Sequence, residues 1–182
     1  MILIRHGQSE FNAAFSVTRV DPGIADPRLT QMGRRQAEQA ACELSTHGVK
    51  RLISSPYTRA LETAVIIAEA LGLAVAVDPL VRERAAFHCD IGSPPAVLRR
   101  RFPQLRFDHL EDPWWHDHLA LGAPESEPAL AARGTEFCRA MATAPDWRDI
   151  AVVTHWGFIR ALTGRPLTNG EMIRVDPIRV AG

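Results

Sequence analysis

Two histidines, two arginines and one glutamate each come shortly after a short apolar segment of the chain. They are Arg5, His6, Arg59, Glu83 and His155. Short continuous apolar runs are typical of strands that are buried on both faces of a sheet. Because ligands bind outside the carboxyl ends of the strands in an open parallel sheet, we expect these five side chains to converge on one edge.

These residue types suit the chemistry of a phosphoryl group. Guanidinium groups bind phosphate oxygens through paired hydrogen bonds, and Arg59 is expected on the first turn of a helix, whose N-terminus adds further donors. A neutral imidazole can attack phosphorus as a nucleophile. An acid must then protonate the departing alkoxide, and Glu83 is the nearest candidate.

Predicted strands and helices alternate along the chain. Apolar runs predict strands, and a period near 3.6 predicts helices; the strands cover residues 1–4, 52–53, 73–77, 150–153 and 172–175, and the helices cover 30–47, 55–71, 126–141 and 156–162. This alternation predicts an α/β fold with a mostly parallel central sheet and helices on both faces.

Capping and turn residues define several of these boundaries. Thr30 is a predicted N-cap, Ser55-Pro56 has the cap and the first-position proline of a helix start, and Gly72 is a predicted helix end. Residues 11–29 contain Asp-Pro turn signals, including Asp26-Pro27, and are expected to form a loop. Asn169-Gly170 is a predicted turn.

Residues 84–125 interrupt the alternation with a segment rich in proline and aromatic residues. We interpret this segment as an inserted cap with a short helix around residues 95–102, because long irregular insertions are often lids or binding loops. The length of 182 residues then predicts a single domain over 1–182, with the cap at approximately 84–125.

The composition argues against several classes of protein. Lys and Arg number 21, as do Asp and Glu, and this zero net charge is not that of a nucleic-acid-binding protein. No apolar segment is long enough to span a membrane, and no secretory signal is recognisable. The cysteines Cys42, Cys89 and Cys138 form no CxxC pair, which favours a reducing, cytoplasmic location.

Four motifs resemble those of a known family. They are LIRHGQSEFN at residues 3–12, LTQMG at 29–33, SSPYTRALETA at 54–64 and VTH at 153–155. In this order they resemble the signature of the histidine phosphatase superfamily, also called phosphoglycerate mutase-like. The resemblance covers nearly the whole chain apart from the insertion, and it implies a three-layer α/β/α sandwich.

The resemblance also implies a role for each matching residue. His6 would be the phosphorylated nucleophile, and Glu83 would be the general acid that later activates water. Arg5, Arg59 and His155 would bind the phosphoryl group, and Asn12 would hydrogen-bond to it. The resemblance implies no metal and no cofactor.

The chain departs from the family pattern at two places. Trp156 stands where a small residue usually follows the second histidine, although its backbone N–H could still point at phosphate. Glu83 is not followed by the Arg-His-Tyr-Gly-like stretch of the glycerate mutases, and the chain is shorter than theirs. The second departure favours a phosphatase over a mutase.

Simpler interpretations stand beside several of these assignments. Glu83 lies between two arginines and could form only an ion pair, in which case Glu62 or Asp90 would be the acid. Asn12 could cap a turn, and the Ser9 hydroxyl suits a local turn better than a nucleophile.

The insertion offers further alternatives. His116-Asp117-His118 together with His88-Cys89-Asp90 could bind zinc or form a polar lid surface, and we favour the lid surface. Arg99-Arg100-Arg101 could attract an anionic substrate or form a solvated helix face. Trp114-Trp115 could stack on a substrate or anchor the cap by packing.

The sequence therefore predicts a phosphatase that acts on a small phosphorylated substrate. A mutase-type phosphotransferase is the nearest alternative, and a phosphatase of protein phosphohistidine is a third. A non-catalytic protein that binds phospho-ligands is an alternative of another class. A serine hydrolase is disfavoured, because GQSEF at residues 7–11 lacks the last glycine of the GxSxG motif.

Overall fold

The computed structural model describes residues 1–181 and contains one five-stranded sheet. The strands are β1 (Ile2–Arg5), β2 (Arg51–Ser54), β3 (Val75–Val77), β4 (Ile150–Thr154) and β5 (Met172–Arg174). The helices are α1 (Glu10–Thr18), α2 (Gln31–Leu44), α3 (Thr58–Leu71), α4 (Pro95–Arg101), α5 (His118–Leu121), α6 (Glu127–Ala142), α7 (Trp156–Thr163) and α8 (Pro177–Ala181). None of these helices is long and apolar enough to cross a membrane.

The strand order is β3-β2-β4-β1-β5. Strands β3, β2, β4 and β1 are parallel, and β5 runs antiparallel to β1. Arg5 pairs with Thr154, and Ser54 pairs with Val153, so the carboxyl ends of the three central strands lie at one edge. The predicted mostly parallel α/β sheet is confirmed.

Alternating strand residues contact different helices on the two faces of the sheet. Ile2 and Ile4 share a buried cluster with α2 and α3, whereas Leu3 shares one with α6 and α7. Within β4, Val153 belongs to the first cluster and Val152 to the second. Both faces of the sheet are therefore covered by helices, which gives the predicted three-layer α/β/α sandwich.

The start predicted for α3 is two residues too early, because the N-cap is Tyr57 rather than Ser55. The backbone N–H of Ser55 donates to Val153 O at 3.0 Å, so the chain is still bonded to β4 at this position. The helix begins at Thr58, whose backbone N–H donates to Asp26 Oδ1 at 2.8 Å. The other predicted caps are confirmed, because the Thr30 side chain caps α2 and Gly72 ends α3 in the left-handed conformation.

Residues 11–29 are not one continuous loop, contrary to the prediction. Residues Glu10–Thr18 form α1, because Ser9 and Asn12 form a capping box in which each side chain accepts from the other's backbone N–H. The helices α5 and α8 were also not predicted.

The insertion at 84–125 packs mainly against the side of α3 and β3. Residues from α4 and the following segment share a buried cluster with Tyr57, Leu61 and Val77. The Trp114 ring lies 4.7 Å from the Tyr57 ring, and its indole N–H donates to Ser93 O at 2.9 Å. The Trp114 side chain thus anchors the insertion on the core rather than facing solvent.

Candidate active site

A cavity of about 600 Å³ lies at the carboxyl end of β1. Six predicted site residues line it: Arg5, His6, Asn12, Arg59, Glu83 and Trp156. His155 lies directly behind them, with its ring centroid 5.0 Å from that of His6. Another cavity, of about 740 Å³, lies along β3 and contains none of these residues, so its size does not bear on the chemistry.

His6 is held with one ring nitrogen free to react. Its Nδ1 lies 2.7 Å from Gly7 O, and because a carbonyl oxygen only accepts, this nitrogen carries the proton. The lone pair is then on Nε2. Burial lowers the pKa of His6 well below its ordinary value, and the charges of Arg59 and Arg5 lower it further. The imidazole is therefore neutral, as a nucleophile must be.

A glycine must follow His6 because two backbones meet there. A Cβ on Gly7 would overlap the backbone of Gly33 in α2, and a Cβ on Gly33 would overlap the backbone of Gln8. The backbone N–H of Gly7 donates to Thr63 Oγ1 of α3 at 3.1 Å. The turn that carries His6 is thus fixed against both helices of this face.

His155 is fully buried and its ring is fixed from two sides. Its Nε2 lies 2.8 Å from Ser55 Oγ, and its ring meets the Tyr57 ring edge-on at 5.2 Å. Its Nδ1 has no hydrogen-bond partner among the residues that the structure describes. Burial lowers the pKa of His155 well below its ordinary value, and the charge of Arg59 adds to this. A neutral His155 can donate from Nδ1 when Ser55 donates to Nε2.

The two arginines reach the cavity from different strand ends. Arg5 donates to Leu167 O at 2.7 Å, while its buried Nε has no partner within residues 1–181. Arg59, only 3% exposed, donates to Cys89 O at 2.6 Å and to Asp90 Oδ1 at 3.0 Å. A guanidinium carries five N–H donors, so each arginine keeps donors for an anion in the cavity.

Glu83 lies against the N-terminus of α7. Its carboxylate accepts from the backbone N–H groups of Gly157 at 3.1 Å and of Arg84 at 2.9 Å. Burial raises the pKa of Glu83, the charge of Asp90 raises it further, and these two hydrogen bonds oppose the rise. A carboxyl group with a raised pKa in a cavity is suited to donate a proton.

The alternative acids are engaged elsewhere. Glu62 accepts from the backbone N–H of Leu29 at 2.8 Å and pairs with Arg34 at 3.3 Å, outside the cavity. Asp90 lines the cavity, but its carboxylate pairs with Arg59 and accepts from the backbone N–H groups of Ala86 and Phe87. Of the three carboxylates, Glu83 has the most suitable position.

Asn12 and Trp156 both line the cavity. The Asn12 side-chain oxygen accepts from Ser9 and from Asn169 Nδ2 at 3.2 Å, so it has the capping role that was its alternative interpretation. Trp156 is the first residue of α7, and Arg160 lies over its half-exposed ring at 5.1 Å. The large side chain therefore extends the cavity wall towards solvent.

Sequence reasoning missed three residues that position the site. Ser55 was interpreted as a helix cap but bonds to His155, and Asn169 was interpreted only as a turn residue but donates to His6 O at 3.0 Å. Asp26 caps α3, the helix that carries Arg59. The Asp26-Pro27 and Asn169-Gly170 pairs did signal turns, but nothing local signalled these contacts.

The residues considered for a metal site do not come together. His116 contacts Ala123 O and His88 contacts Asp21, while the backbone of His118 begins α5. Over residues 1–181, no group of three or more His, Cys, Asp or Glu side chains is placed to hold a metal ion. Of the arginine run, Arg101 bonds to Thr58 and only the other two are exposed.

The fold and the site define an α/β protein with a cationic pocket for a tetrahedral anion at the carboxyl ends of its parallel strands. The chain belongs to the histidine phosphatase superfamily (branch 1), whose family model matches residues 1–180.

The chain is similar to proteins named as phosphatases and as probable mutases. The chain is 31% identical over 171 residues to a glucosyl-3-phosphoglycerate phosphatase of Mycobacterium tuberculosis, a match that covers 90% of this chain and 73% of that protein. It is 32% identical over 142 residues to a probable phosphoglycerate mutase of Proteus mirabilis, a match that covers 78% of this chain and 59% of that protein. A solved structure of a mycobacterial glucosyl-3-phosphoglycerate phosphatase with VO3 matches with a TM-score of 0.65 and 25% identity. The match covers 94% of this chain and 88% of that one.

Proposed function

We propose that this chain is a metal-independent phosphomonoesterase that hydrolyses a small phosphorylated metabolite through a phosphohistidine on His6. The observation that carries this proposal is the placement of a neutral His6 in one cavity with two arginines and an acid of raised pKa. The phosphatase relatives support the same reaction class.

In the first step, His6 Nε2 attacks the phosphorus atom as the bond between phosphorus and the ester oxygen breaks. Protonated Glu83 gives its proton to that oxygen, so the product leaves as a neutral alcohol. In the second step, the Glu83 carboxylate takes a proton from water, and the resulting hydroxide attacks the phosphohistidine. Inorganic phosphate leaves, and both His6 and Glu83 return to their starting states.

The other residues stabilise the transferring group. Arg5 and Arg59 would neutralise its oxygens, and buried His155 would donate from Nδ1. The N-terminus of α7 also faces this end of the cavity, so the backbone N–H of Trp156 is a further candidate donor. Asn12 would contribute indirectly by holding Ser9 and Asn169, which in turn binds His6 O.

A mutase remains the second candidate, because one of the relatives is named a probable phosphoglycerate mutase. A mutase must return the phosphoryl group to the product before water reaches the intermediate. An assay of 3-phosphoglycerate with a bisphosphate primer separates the two reactions. We expect release of inorganic phosphate and no formation of the isomer.

The test of the proposal is a screen of phosphorylated metabolites with the wild type and His6→Ala in parallel. We expect the wild type to hydrolyse at least one ester. The kcat of His6→Ala on that ester should be lower by about 10⁴-fold or more, as for other covalent nucleophiles. His47→Ala is the matched control, because His47 lies beyond the end of α2 and does not line the cavity. Equal activity of His6→Ala and the wild type would contradict the proposal.

We further propose that the chain forms a single domain over 1–182, carrying the insertion at 84–125, and that it functions in the cytoplasm. The cysteines Cys42, Cys89 and Cys138 are free, which is typical of a reducing compartment. A partner other than the small substrate, such as a nucleic acid or a membrane, is not expected from the balanced charge.

A further inference from the structure

The cavity has an aromatic wall beyond the phosphoryl-binding end. Phe11 and Phe15 of α1 and Phe87 of the insertion all line it. Their ring centroids lie 5.3 Å (Phe11–Phe15), 5.6 Å (Phe11–Phe87) and 5.5 Å (Phe15–Phe87) apart. Each ring is therefore packed against the other two.

Part of this wall is exposed to the cavity. Phe11 is 6% exposed and supports the other two rings from below, whereas Phe87 is 42% exposed. Leaving a large aromatic surface in contact with water is unfavourable, and a ligand that covers it recovers that free energy. Trp156, 38% exposed, adds a second aromatic surface to the same cavity.

Three polar side chains near the wall, those of Ser9, Ser16 and Arg84, are bonded within the protein. The Ser16 hydroxyl donates to Ala13 O at 2.8 Å, and the Ser9 hydroxyl donates to Asn12 Oδ1 at 3.0 Å. Arg84 donates to Glu125 O and pairs with Glu127 at 2.9 Å. At these three residues, a hydroxyl of the leaving group would compete with a hydrogen bond or ion pair that the protein already makes.

We propose that the preferred substrates are phosphate monoesters whose leaving alcohol carries an aromatic ring, which packs on Phe15 and Phe87. This inference rests on the proposed function and specifies its substrate class. The phosphoryl group occupies the end of the cavity near His6 and Arg59, and the ring covers the apolar wall. Specificity then comes from α1 and from residues 84–90, which are the part of the insertion that reaches the cavity.

The test compares esters of alkyl alcohols, so that leaving-group reactivity stays similar. We expect kcat/KM for benzyl phosphate to exceed that for glycerol 1-phosphate by about tenfold, from burial of the ring and aromatic contact. Benzylphosphonate, which cannot be hydrolysed, should also inhibit more tightly than methylphosphonate by about tenfold. The second comparison measures binding without the chemical step.

Phe87→Ala tests the wall directly, and its exposed position makes the variant compatible with folding. We expect it to reduce kcat/KM for benzyl phosphate by about fivefold, while that for glycerol 1-phosphate stays within about twofold. Phe15→Ala should act in the same direction. Leu119→Ala is the matched control, because Leu119 is exposed but lies in α5 and outside the cavity.

Each result separates this inference from the proposed function. Equal kcat/KM for the two esters, or an equal loss on both in Phe87→Ala, would overturn the inference and leave phosphatase activity intact. If no ester is hydrolysed, the proposed function fails and the inference fails with it.

Discussion

Replacement of Asp90 by Asn removes the negative charge that faces Arg59. The two side chains are only 2% and 3% exposed, and Asp90 Oδ1 lies 3.0 Å from the guanidinium. Asp90 Oδ2 accepts from the backbone N–H groups of Ala86 and Phe87, both at 3.1 Å. Asparagine keeps the shape but only one acceptor oxygen, so its NH2 group must face either Arg59 or the two backbone N–H groups. The variant therefore loses the charge next to a buried cation together with part of the hydrogen bonding.

The expected loss of stability follows from the burial of the ion pair between Asp90 and Arg59. Removing one partner of a buried ion pair costs about 3–5 kcal/mol, and the retained shape of asparagine places Asp90→Asn near the lower end, at about 3 kcal/mol. For a protein of this size, about 1 kcal/mol shifts Tm by about 2–4 °C. We therefore expect Tm to fall by about 6–12 °C.

The assay is scanning calorimetry with and without inorganic phosphate. In Asp90→Asn, the charges of Arg5 and Arg59 lack one of their counterions, so a bound phosphate should raise Tm more in the variant than in the wild type. Asp146→Asn is the control. Asp146 pairs with Arg51 at 2.9 Å, but both side chains are exposed, so a change of under about 1 kcal/mol is expected.

Two results would refute this reasoning. If Asp90→Asn has the same Tm as Asp146→Asn, the buried pair does not stabilise the fold as its geometry indicates. If phosphate stabilises the wild type and Asp90→Asn equally, Asp90 does not balance the charge of the anion pocket.

Three further predictions concern catalysis. Burial and the charges of Arg59 and Arg5 lower the pKa of His6, so the imidazole is still neutral when the pH falls below about 6.5, the ordinary pKa of histidine. Burial raises the pKa of Glu83, so kcat falls as the pH rises through that pKa and the acid loses its proton. Glu83→Gln should abolish this alkaline limb in a kcat–pH profile, and an unchanged limb would assign the acid elsewhere. Gly157→Ala should lower kcat by about 10–100-fold, because its Cβ would displace Glu83 Oε1, and normal kcat in this variant would argue against Glu83 as the acid. Activity should persist in EDTA, and a loss restored by zinc or magnesium would show that a metal takes part.

The sequence predicted the sheet and most helices because their signals are local. Apolar runs marked the strands, and the caps Thr30 and Gly72 marked helix ends correctly. The mostly parallel direction of the strands followed from the alternation of strands and helices, whereas their order in the sheet was not predicted. Residues placed just after strands, such as His6 and His155, were therefore expected at the sheet edge where the structure has them.

Some local sequence signals were misinterpreted because the same residues are compatible with two conformations. Ser55-Pro56 has the residues of a helix start, but the hydrogen bond from Ser55 N to Val153 O continues the pairing with β4. The Ser9 and Asn12 capping box was present in the sequence, but the turn signals that follow it favoured a loop. In both places a neighbouring element decided between two locally acceptable conformations.

Only the tertiary structure showed which residues form hydrogen bonds with the site residues and so hold them in place. Arg59 and Asp90 are 31 residues apart, Ser55 and His155 are 100 apart, and His6 and Asn169 are 163 apart. Hydropathy periods and capping motifs describe contacts within one element, whereas these hydrogen bonds join different elements at the sheet edge. The aromatic wall formed by α1 and Phe87 has the same origin, because packing brings side chains together without regard to their separation in sequence.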